Sequence, residues 1–293
     1  ELRLTDFNNK GGWATTGQVQ AKLADLGVLS LAGTYKTPYW GSVESKINER
    51  SRETNLNWDV STQINAGKFL PQKLKITLPV FYSYGQTKNT PLYNPLDPDV
   101  KMSALDEIKD KEPELVDRIQ RQVVDFTERK SFNLSNVRID GLKRPKAKPM
   151  PWDVSNFTAT YAYTETFKRS VNVEYNINRV FRGNLQYSFS IKNPYVFKPF
   201  AKAKAFNNKW FALIKDFNLQ LLPNSFGASM EVNRSYAALR NRDITSFYDT
   251  AGAFSNITQI NKNFTISRNY NLMWTLSKSV KFDYTATNDG RIL

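Results

Sequence analysis

The sequence predicts an all-β protein made of long antiparallel strands, and three observations support this fold class. Apolar and polar residues alternate with a period of two along most of the 293 residues, so successive side chains point to opposite faces of a strand. About a dozen such segments, each roughly 9–12 residues long, are near the length that a tilted strand needs to cross a bilayer. Short turn signals separate many of these segments, as in a meander of antiparallel strands.

The clearest pattern is a long hairpin with a turn expected at residues 66–68. One face of this hairpin is apolar and includes Leu56, Trp58, Ile64, Leu74, Ile76 and Val80. The opposite face is polar and includes Asn57, Asp59, Gln63, Asn65, Lys73 and Lys75. A transmembrane β-barrel has this two-sided character, because lipid surrounds it and water fills it. We therefore expect the first set to face lipid and the second set to face the lumen.

The chain divides into three expected parts. Residues 1–98 form barrel strands that include the long hairpin. Residues 99–130 form a helical loop insert, because Leu115, Ile119 and Val123 recur at helical spacing and Pro113 suits the first position of a helix. Residues 131–293 return to barrel strands, with long loops at 193–213 and 235–262. The interpretation is a section of a very large antiparallel transmembrane barrel with a small helical insert.

Within the last part, residues 157–191 predict three strands of near-equal length. The turns between them are expected at residues 167–170 and 179–183. A further hairpin turn is expected at Asp289 and Gly290. Only three residues follow that turn, which favours a fragment of a longer chain.

The composition excludes several kinds of chemistry. The 293 residues contain no cysteine and no histidine, which rules out disulfides, thiolate nucleophiles, histidine triads and His/Cys metal sites. Asp97, Asp99 and the pair Asp106 and Glu107 are the nearest approach to a carboxylate or calcium site. They lack a further ligand at EF-hand spacing. The sequence therefore predicts neither an enzyme nor a cofactor.

The charge balance is basic, which is explained either by lysine and arginine in turns and on a wetted face or by an anionic partner. Lysine and arginine number 41 against 27 aspartate and glutamate residues, a formal net charge of +14. A basic surface attracts polyanions such as nucleic acid, anionic lipid or lipopolysaccharide phosphates. No nucleic-acid-binding motif is present, so we expect outer-membrane lipid or lipopolysaccharide and no nucleic acid.

Two other all-β interpretations remain open. A soluble β-sandwich that binds polysaccharide would also show period-two strands, although its strands are usually only about 5–6 residues long. An outer-membrane structural or lipopolysaccharide-binding barrel would share every strand pattern and lack a path for protein. The many uninterrupted polar faces favour a wide, water-filled lumen. Aromatic residues near the expected strand ends suit interfacial girdles; they include Tyr35, Tyr39, Trp40, Tyr82, Tyr84, Trp152, Tyr161, Tyr163, Tyr195 and Trp210.

Several short segments have distinctive amino-acid sequences. They are PYWGSV at 38–43, NERSRET at 48–54, GKFLP at 67–71, LPV at 78–80, TPLYNPLDPD at 90–99, PWDVSNF at 151–157, YAYTE at 161–165 and NKWF at 208–211. Together they resemble the SprA/Sov family, the outer-membrane translocon of the type IX secretion system, which is also linked to gliding motility. The resemblance covers most of the chain. The family's proteins are several times longer, so the chain is expected to be an internal section.

The resemblance implies a single-chain barrel of the cell outer membrane whose pore exports folded cargo proteins with a C-terminal sorting domain. It also implies partners: a PorV-type outer-membrane barrel, a plug protein and accessory lipoproteins. The family has no catalytic motif, so no individual functional residue carries over. On this hypothesis the strands form the wall of a protein-conducting channel. Residues 99–130 and 235–262 are candidates for a gate, a cap or a partner contact.

Overall fold

The computed structural model describes residues 11–42, 44–46, 49–140, 150–191, 195–198, 218–242, 257–277 and 279–292. Most of the described residues belong to one antiparallel sheet of 11 strands. In these ranges no helix combines the length and the apolar character needed to cross a membrane.

The first half of the chain contains the strands β1 (Ala14–Leu23), β2 (Gly27–Lys36), β3 (Glu53–Asn65), β4 (Ile76–Thr77), β5 (Pro79–Pro91), β6 (Tyr93–Asn94), β7 (Asp97–Lys101) and β8 (Asp125–Ile139). The second half contains β9 (Phe157–Arg169), β10 (Val173–Ser190), β11 (Val196–Phe197), β12 (Leu219–Gln220), β13 (Ser225–Asn241), β14 (Gln259–Thr275) and β15 (Lys281–Ile292). The helices are α1 (Ala104–Ile108) and α2 (Pro113–Val123), and 3-10 turns lie at Ala66–Phe69, Gln72–Leu74 and Val154–Asn156.

The long strands pair in the order in which they follow one another along the chain. The order across the sheet is β1-β2-β3-β5-β8-β9-β10-β13-β14-β15, and β4 pairs with the end of β8. Two small sheets, β6-β7 and β11-β12, lie outside this path. The prediction of an antiparallel meander is confirmed. The sheet is open, with β1 and β15 at its edges, and does not close into a barrel.

The predicted hairpin is formed by β3 and β5. Trp58 pairs with Gln86 and Ile64 pairs with Val80, so the apolar residues of the two strands share one face. The turn predicted at residues 66–68 is the 3-10 turn Ala66–Phe69. The second strand starts later than expected, at Pro79, a residue that a sheet tolerates as the first of a strand.

Residues 73–76 were therefore wrongly assigned to the second strand of the hairpin. Leu74 closes a short turn by donating its backbone N–H to the Pro71 carbonyl over 3.0 Å. Lys75 has a backbone φ of 42°, a left-handed conformation outside the extended region that regular strands adopt. Ile76 lies in β4, where it pairs with Ile139 of β8.

Two of the predicted strand breaks are absent. Residues 173–190 form one strand of 18 residues, where the sequence predicts two strands and a turn at residues 179–183. Gly183 pairs with Tyr161 on one side and Val232 on the other, so backbone pairing with both neighbours keeps the chain extended. Asp289 and Gly290 likewise remain within β15, where they pair with Ser267 and Ile266 of β14.

The predicted loops and insert are shorter than expected. Residues 235–241 belong to β13 and residues 259–262 belong to β14. Both ends of the loop predicted at 235–262 are therefore parts of strands. Most of that loop, and most of the loop predicted at 193–213 including Trp210, lies outside the described residues. The predicted helices at residues 99–130 occupy residues 104–123, and β8 begins at Asp125.

The buried core among the described residues lies in the helical insert. It consists of Met102, Leu105, Val116, Val123 and Val124, with Leu96 and Ile119 packed against it. The helical spacing of α2 points Val116, Ile119 and Val123 to one side. The insert thus has a core of its own, whereas the apolar residues of the large sheet lie outside this core.

Candidate functional surfaces of the sheet

One face of the sheet, which we call the apolar face, carries rows of side chains that continue from strand to strand. In the first of these rows, Leu31 of β2 pairs with Val60 of β3, which pairs with Tyr84 of β5. Phe132 of β8 pairs with Tyr163 of β9 in a parallel row. Because side chains alternate along each strand, register fixes which residues share this face.

The apolar residues of this face form a band that crosses the rows obliquely. Followed across the sheet, the row of Leu31 becomes charged: it reaches Lys130 in β8, Glu165 in β9 and Arg179 in β10. In each later strand, the large apolar side chains lie at positions that are shifted further along the strand. This band, the apolar belt, comprises Leu29, Leu31, Val60, Tyr82, Phe132, Tyr161, Leu185, Tyr187, Phe226, Leu272 and Tyr284.

Side chains of the apolar belt are widely exposed. The exposed fraction is 48% for Leu31, 49% for Leu185 and 50% for Tyr284. Isolated exposed apolar residues are ordinary on any protein, but a large contiguous patch marks a surface that contacts another apolar phase. The belt extends from β2 to β15, so it is the dominant surface of the sheet.

Aromatic residues interact across strands along this face. The ring centroids of Tyr163 and Phe181 are 4.6 Å apart, and those of Phe157 and Tyr187 are 5.0 Å apart in an edge-to-face arrangement. Such cross-strand pairs stabilise a sheet without a second layer.

A charged cluster borders the apolar belt on the same face. The Glu165 carboxylate accepts a hydrogen bond of 2.7 Å from Arg179 Nε and one of 2.5 Å from the Tyr163 hydroxyl. Lys130 lies 2.7 Å from Glu128 and 3.9 Å from Glu165. Aromatic and charged groups mixed at the margin of an apolar band are typical of a boundary between apolar and aqueous surroundings.

The opposite face of the sheet, the polar face, brings two of the predicted lumen residues together. Asn57 accepts a hydrogen bond from the Thr87 hydroxyl over 2.7 Å and donates one to Asp59 over 3.2 Å. Arg129 of β8 lies 3.5 Å from the Asp59 carboxylate. These side chains form a partly exposed polar network that spans β3, β5 and β8.

Some of the other predicted site residues lie in β3 and β5, and the rest lie in the segment that connects these two strands. Gln63 and Asn65 extend the polar face of β3, where both are exposed. Leu56, Trp58, Ile64 and Val80 share the apolar face of β3 and β5. The predicted site residues that lie outside these two strands are Lys73, Leu74, Lys75 and Ile76.

Sequence reasoning missed Arg129 and the cluster of Glu165 and Arg179. Arg129 contacts Asn57 across 72 positions of sequence, and no local pattern indicates that contact. Glu165 lies two residues after Tyr163 in the same strand, so alternation places both side chains on the apolar face. The position of the Glu165 carboxylate could therefore be predicted from the sequence. Asp97 and Asp99 lie in β7, and the described residues contain no group of three or more side chains able to hold a metal ion.

A comparison with protein families gives a match over the first third of the chain. Residues 1–105 match the family model SprA_N, described as a motility related/secretion protein. No curated protein matches the chain. Among solved structures, LpxR from Salmonella typhimurium is 9% identical over 95% of this chain and 87% of that chain, with a TM-score of 0.20, too low to support an argument about fold.

Proposed function

We propose that this chain, which is related to the SprA family of motility and secretion proteins, forms part of the wall of a protein-conducting channel in the outer membrane. The channel exports folded cargo with a C-terminal sorting domain, as in type IX secretion, and supports gliding motility. The family match supports the coarser assignment to motility or secretion. The two faces of the sheet support the finer assignment to a membrane wall.

The observation that carries the proposal is the exposed apolar belt on a sheet with a polar opposite face. Burying apolar surface contributes about 25 cal/mol per Å², so a sheet that leaves Leu31, Leu185 and Tyr284 about half exposed forgoes a large stabilisation in water. Lipid removes that deficit, because the belt then contacts hydrocarbon. The polar network around Asn57 and Asp59 remains in water.

The oblique course of the belt also supports a membrane wall. Strands of a transmembrane barrel are tilted by about 35–45° from the membrane normal. A horizontal hydrocarbon layer must therefore cross successive strands at shifted positions, as the belt does between Leu31 of β2 and Tyr284 of β15. The long strands have 10–18 residues, which suits a tilted path through the bilayer.

The proposed partners come from the family resemblance. They are a PorV-type outer-membrane barrel, a plug protein, accessory lipoproteins, cargo proteins, and outer-membrane lipid or lipopolysaccharide. The insert that contains α1 and α2 is a candidate for a cap or partner contact, because it has its own core. The chain acts by shape and polarity in this proposal and catalyses no reaction.

A pair of cysteine variants tests the membrane orientation. The 293 residues contain no cysteine, so Leu185→Cys on the belt and Gln186→Cys on the polar face each introduce a unique thiol in this stretch. We expect a spin label at 185 in the native protein to be accessible to dissolved oxygen, and one at 186 to a water-soluble nickel chelate. Equal nickel accessibility at both positions would contradict the proposal.

The alternatives predict different measurements. A lipopolysaccharide-binding or structural barrel shares the lipid-facing belt but conducts nothing, so plug-depleted protein in a planar bilayer would show no conductance. A soluble polysaccharide-binding sandwich needs a second sheet facing the belt. The described strands form a single principal sheet, and a sandwich would remain in buffer without detergent.

A further inference from the structure

A cavity of about 850 Å³ lies between α2 and the sheet, where β9 ends and β10 begins. Phe167, Tyr175 and Ile177 form its apolar wall, while Arg121, Arg169 and Arg242 supply cationic groups. Phe167 and Ile177 pair with each other and share the apolar face with Glu165 and Arg179. The cavity is therefore on the face that carries the apolar belt, beyond the charged cluster.

Arg169 is the central cation of this cavity. Its guanidinium carbon lies 4.9 Å from the centre of the Phe126 ring, so the aromatic ring supports one side of the group. The Nε atom of Arg169 is buried and has no hydrogen-bond partner in the described part of the chain. A buried donor without a partner is unfavourable, and the side chain that carries it also lines the cavity.

Two more arginines are close enough to Arg169 to act on its charge. Arg121 and Arg242 line the same cavity as Arg169. Like charges that converge on one cavity repel each other unless an anion lies among them. Arginine is well suited to bind such an anion, because its planar fork makes two parallel hydrogen bonds to phosphate oxygens.

Arg242 is held in place by the end of α2. Its guanidinium donates hydrogen bonds to the backbone carbonyls of Gln122 over 2.6 Å and Arg121 over 3.4 Å. A cation at the C-terminus of a helix is favourable because the helix dipole is negative there. Burial lowers the pKa of the Arg242 guanidinium below its ordinary value, and the charge of the Glu174 carboxylate partly opposes this shift.

The carboxylates that line the cavity do not complete this arrangement. Glu174 forms an ion pair of 2.9 Å with Arg240. Glu114 and Asp117 lie on earlier turns of α2 than Arg121. Asp117 precedes Arg121 by four residues, a spacing at which exposed charge pairs contribute little to stability. None of these carboxylates provides a hydrogen-bond partner for Arg169 Nε in the described part of the chain.

We propose that this cavity binds a phosphate group through Arg169, with Arg121 and Arg242 completing the cationic site. The same chemistry occurs in inorganic phosphate and in a phosphorylated lipid headgroup. The apolar wall and the position next to the apolar belt favour the headgroup, whose acyl chains would continue toward the belt. The site does not depend on whether the channel conducts protein.

The first test uses the unmodified native protein in detergent. Phenylglyoxal reacts with accessible arginines, and mass spectrometry reports the rate at each residue. We expect inorganic phosphate, and separately phosphatidylglycerol, to slow modification of Arg169 by about tenfold, the effect of charge-assisted hydrogen bonds on a bound group. Arg129 on the polar face is the internal control, and its rate should change less than twofold. An unchanged rate at Arg169 with both probes would overturn the proposal.

The second test compares Arg169→Gln with the control Arg129→Gln in nanodiscs of phosphatidylglycerol and of phosphatidylcholine. Native mass spectrometry should show about tenfold less bound phosphatidylglycerol for R169Q and no such loss for R129Q. Loss of phosphate protection alone would assign the site to free phosphate, which still supports a phosphate site. Equal phosphatidylglycerol and phosphate binding by wild type and R169Q would exclude it.

Discussion

Trp58 and Tyr84 lie on neighbouring strands with their ring centroids 5.3 Å apart, although the residue directly opposite Trp58 is Gln86 and that opposite Tyr84 is Val60. The two rings therefore meet diagonally across the apolar face. Diagonal contacts of this kind link successive rows of side chains. They allow a single-layered sheet to be stable with few fully buried residues.

We predict that Trp58 and Tyr84 stabilise the sheet cooperatively. A double-mutant cycle with Trp58→Leu and Tyr84→Leu should give a coupling of about 0.5–1.5 kcal/mol, the usual value for an aromatic pair beyond its buried area. Urea unfolding of the native protein in lipid vesicles measures it. Trp58→Leu combined with Tyr187→Leu is the control, because those residues are far apart in the sheet and their effects should add.

Charge on the apolar belt should block assembly in the membrane. We expect Leu185→Lys to destabilise the folded protein by about 2–4 kcal/mol, the cost of lysine facing the middle of the bilayer. Gln186→Lys places the same charge one residue away on the polar face and should change stability by less than about 0.5 kcal/mol. The amount of protease-resistant protein in the outer membrane reports both. Similar losses for the two variants would be incompatible with a lipid-facing belt.

Loss of the Glu165 carboxylate should leave Arg179 without its carboxylate partner and remove the longer of the two ion pairs of Lys130. Its side chain is 18% exposed and lies 2.7 Å from Arg179 and 3.9 Å from Lys130. We expect Glu165→Gln to lower the free energy of unfolding by about 1–3 kcal/mol. Asp25→Asn removes an ion pair with Lys68 in which the aspartate is 95% exposed. That variant is the control, since exposed pairs contribute little.

Gly27 should tolerate no side chain, whereas Gly17 should accept one. A Cβ at Gly27 would lie 1.9 Å from the backbone carbonyl oxygen of Gln63, and a Cβ at Gly17 would have no neighbour within 4 Å. Overlap with backbone cannot be relieved by a rotamer change, so we expect Gly27→Ala to cost more than about 1 kcal/mol. Gly17→Ala should be neutral or slightly stabilising. Thermal unfolding of both variants compares them, and equal midpoints would show that β2 and β3 separate freely at Gly27.

Alternation along single strands was sufficient to predict the sheet and most of its faces. The register of β3 and β5 confirms that Leu56, Trp58, Ile64 and Val80 share one side. The prediction was wrong where the local composition favours a turn but the segment pairs with neighbouring strands. Residues 179–183 contain Arg182 and Gly183 and resemble a turn, but β9 and β13 pair with β10 on both sides of this segment.

The candidate sites were harder to predict, because they depend on contacts distant in sequence. The polar network joins Asn57 to Arg129, and the anion cavity joins Arg121 to Arg169 and Arg242. No periodicity links these positions. The left-handed backbone at Lys75 also has no sequence signal, since lysine rarely adopts a positive φ.

The sequential order of the strands has a consequence for how such a sheet is made. Every long strand docks on the one that precedes it in the chain, apart from small additions such as β4. Chain closure between nearby segments loses little entropy, and topologies rich in near neighbours form quickly. The sheet can therefore form by successive addition of strands. The connection between β5 and β8 contains a small buried core that can form before β8 pairs with β5.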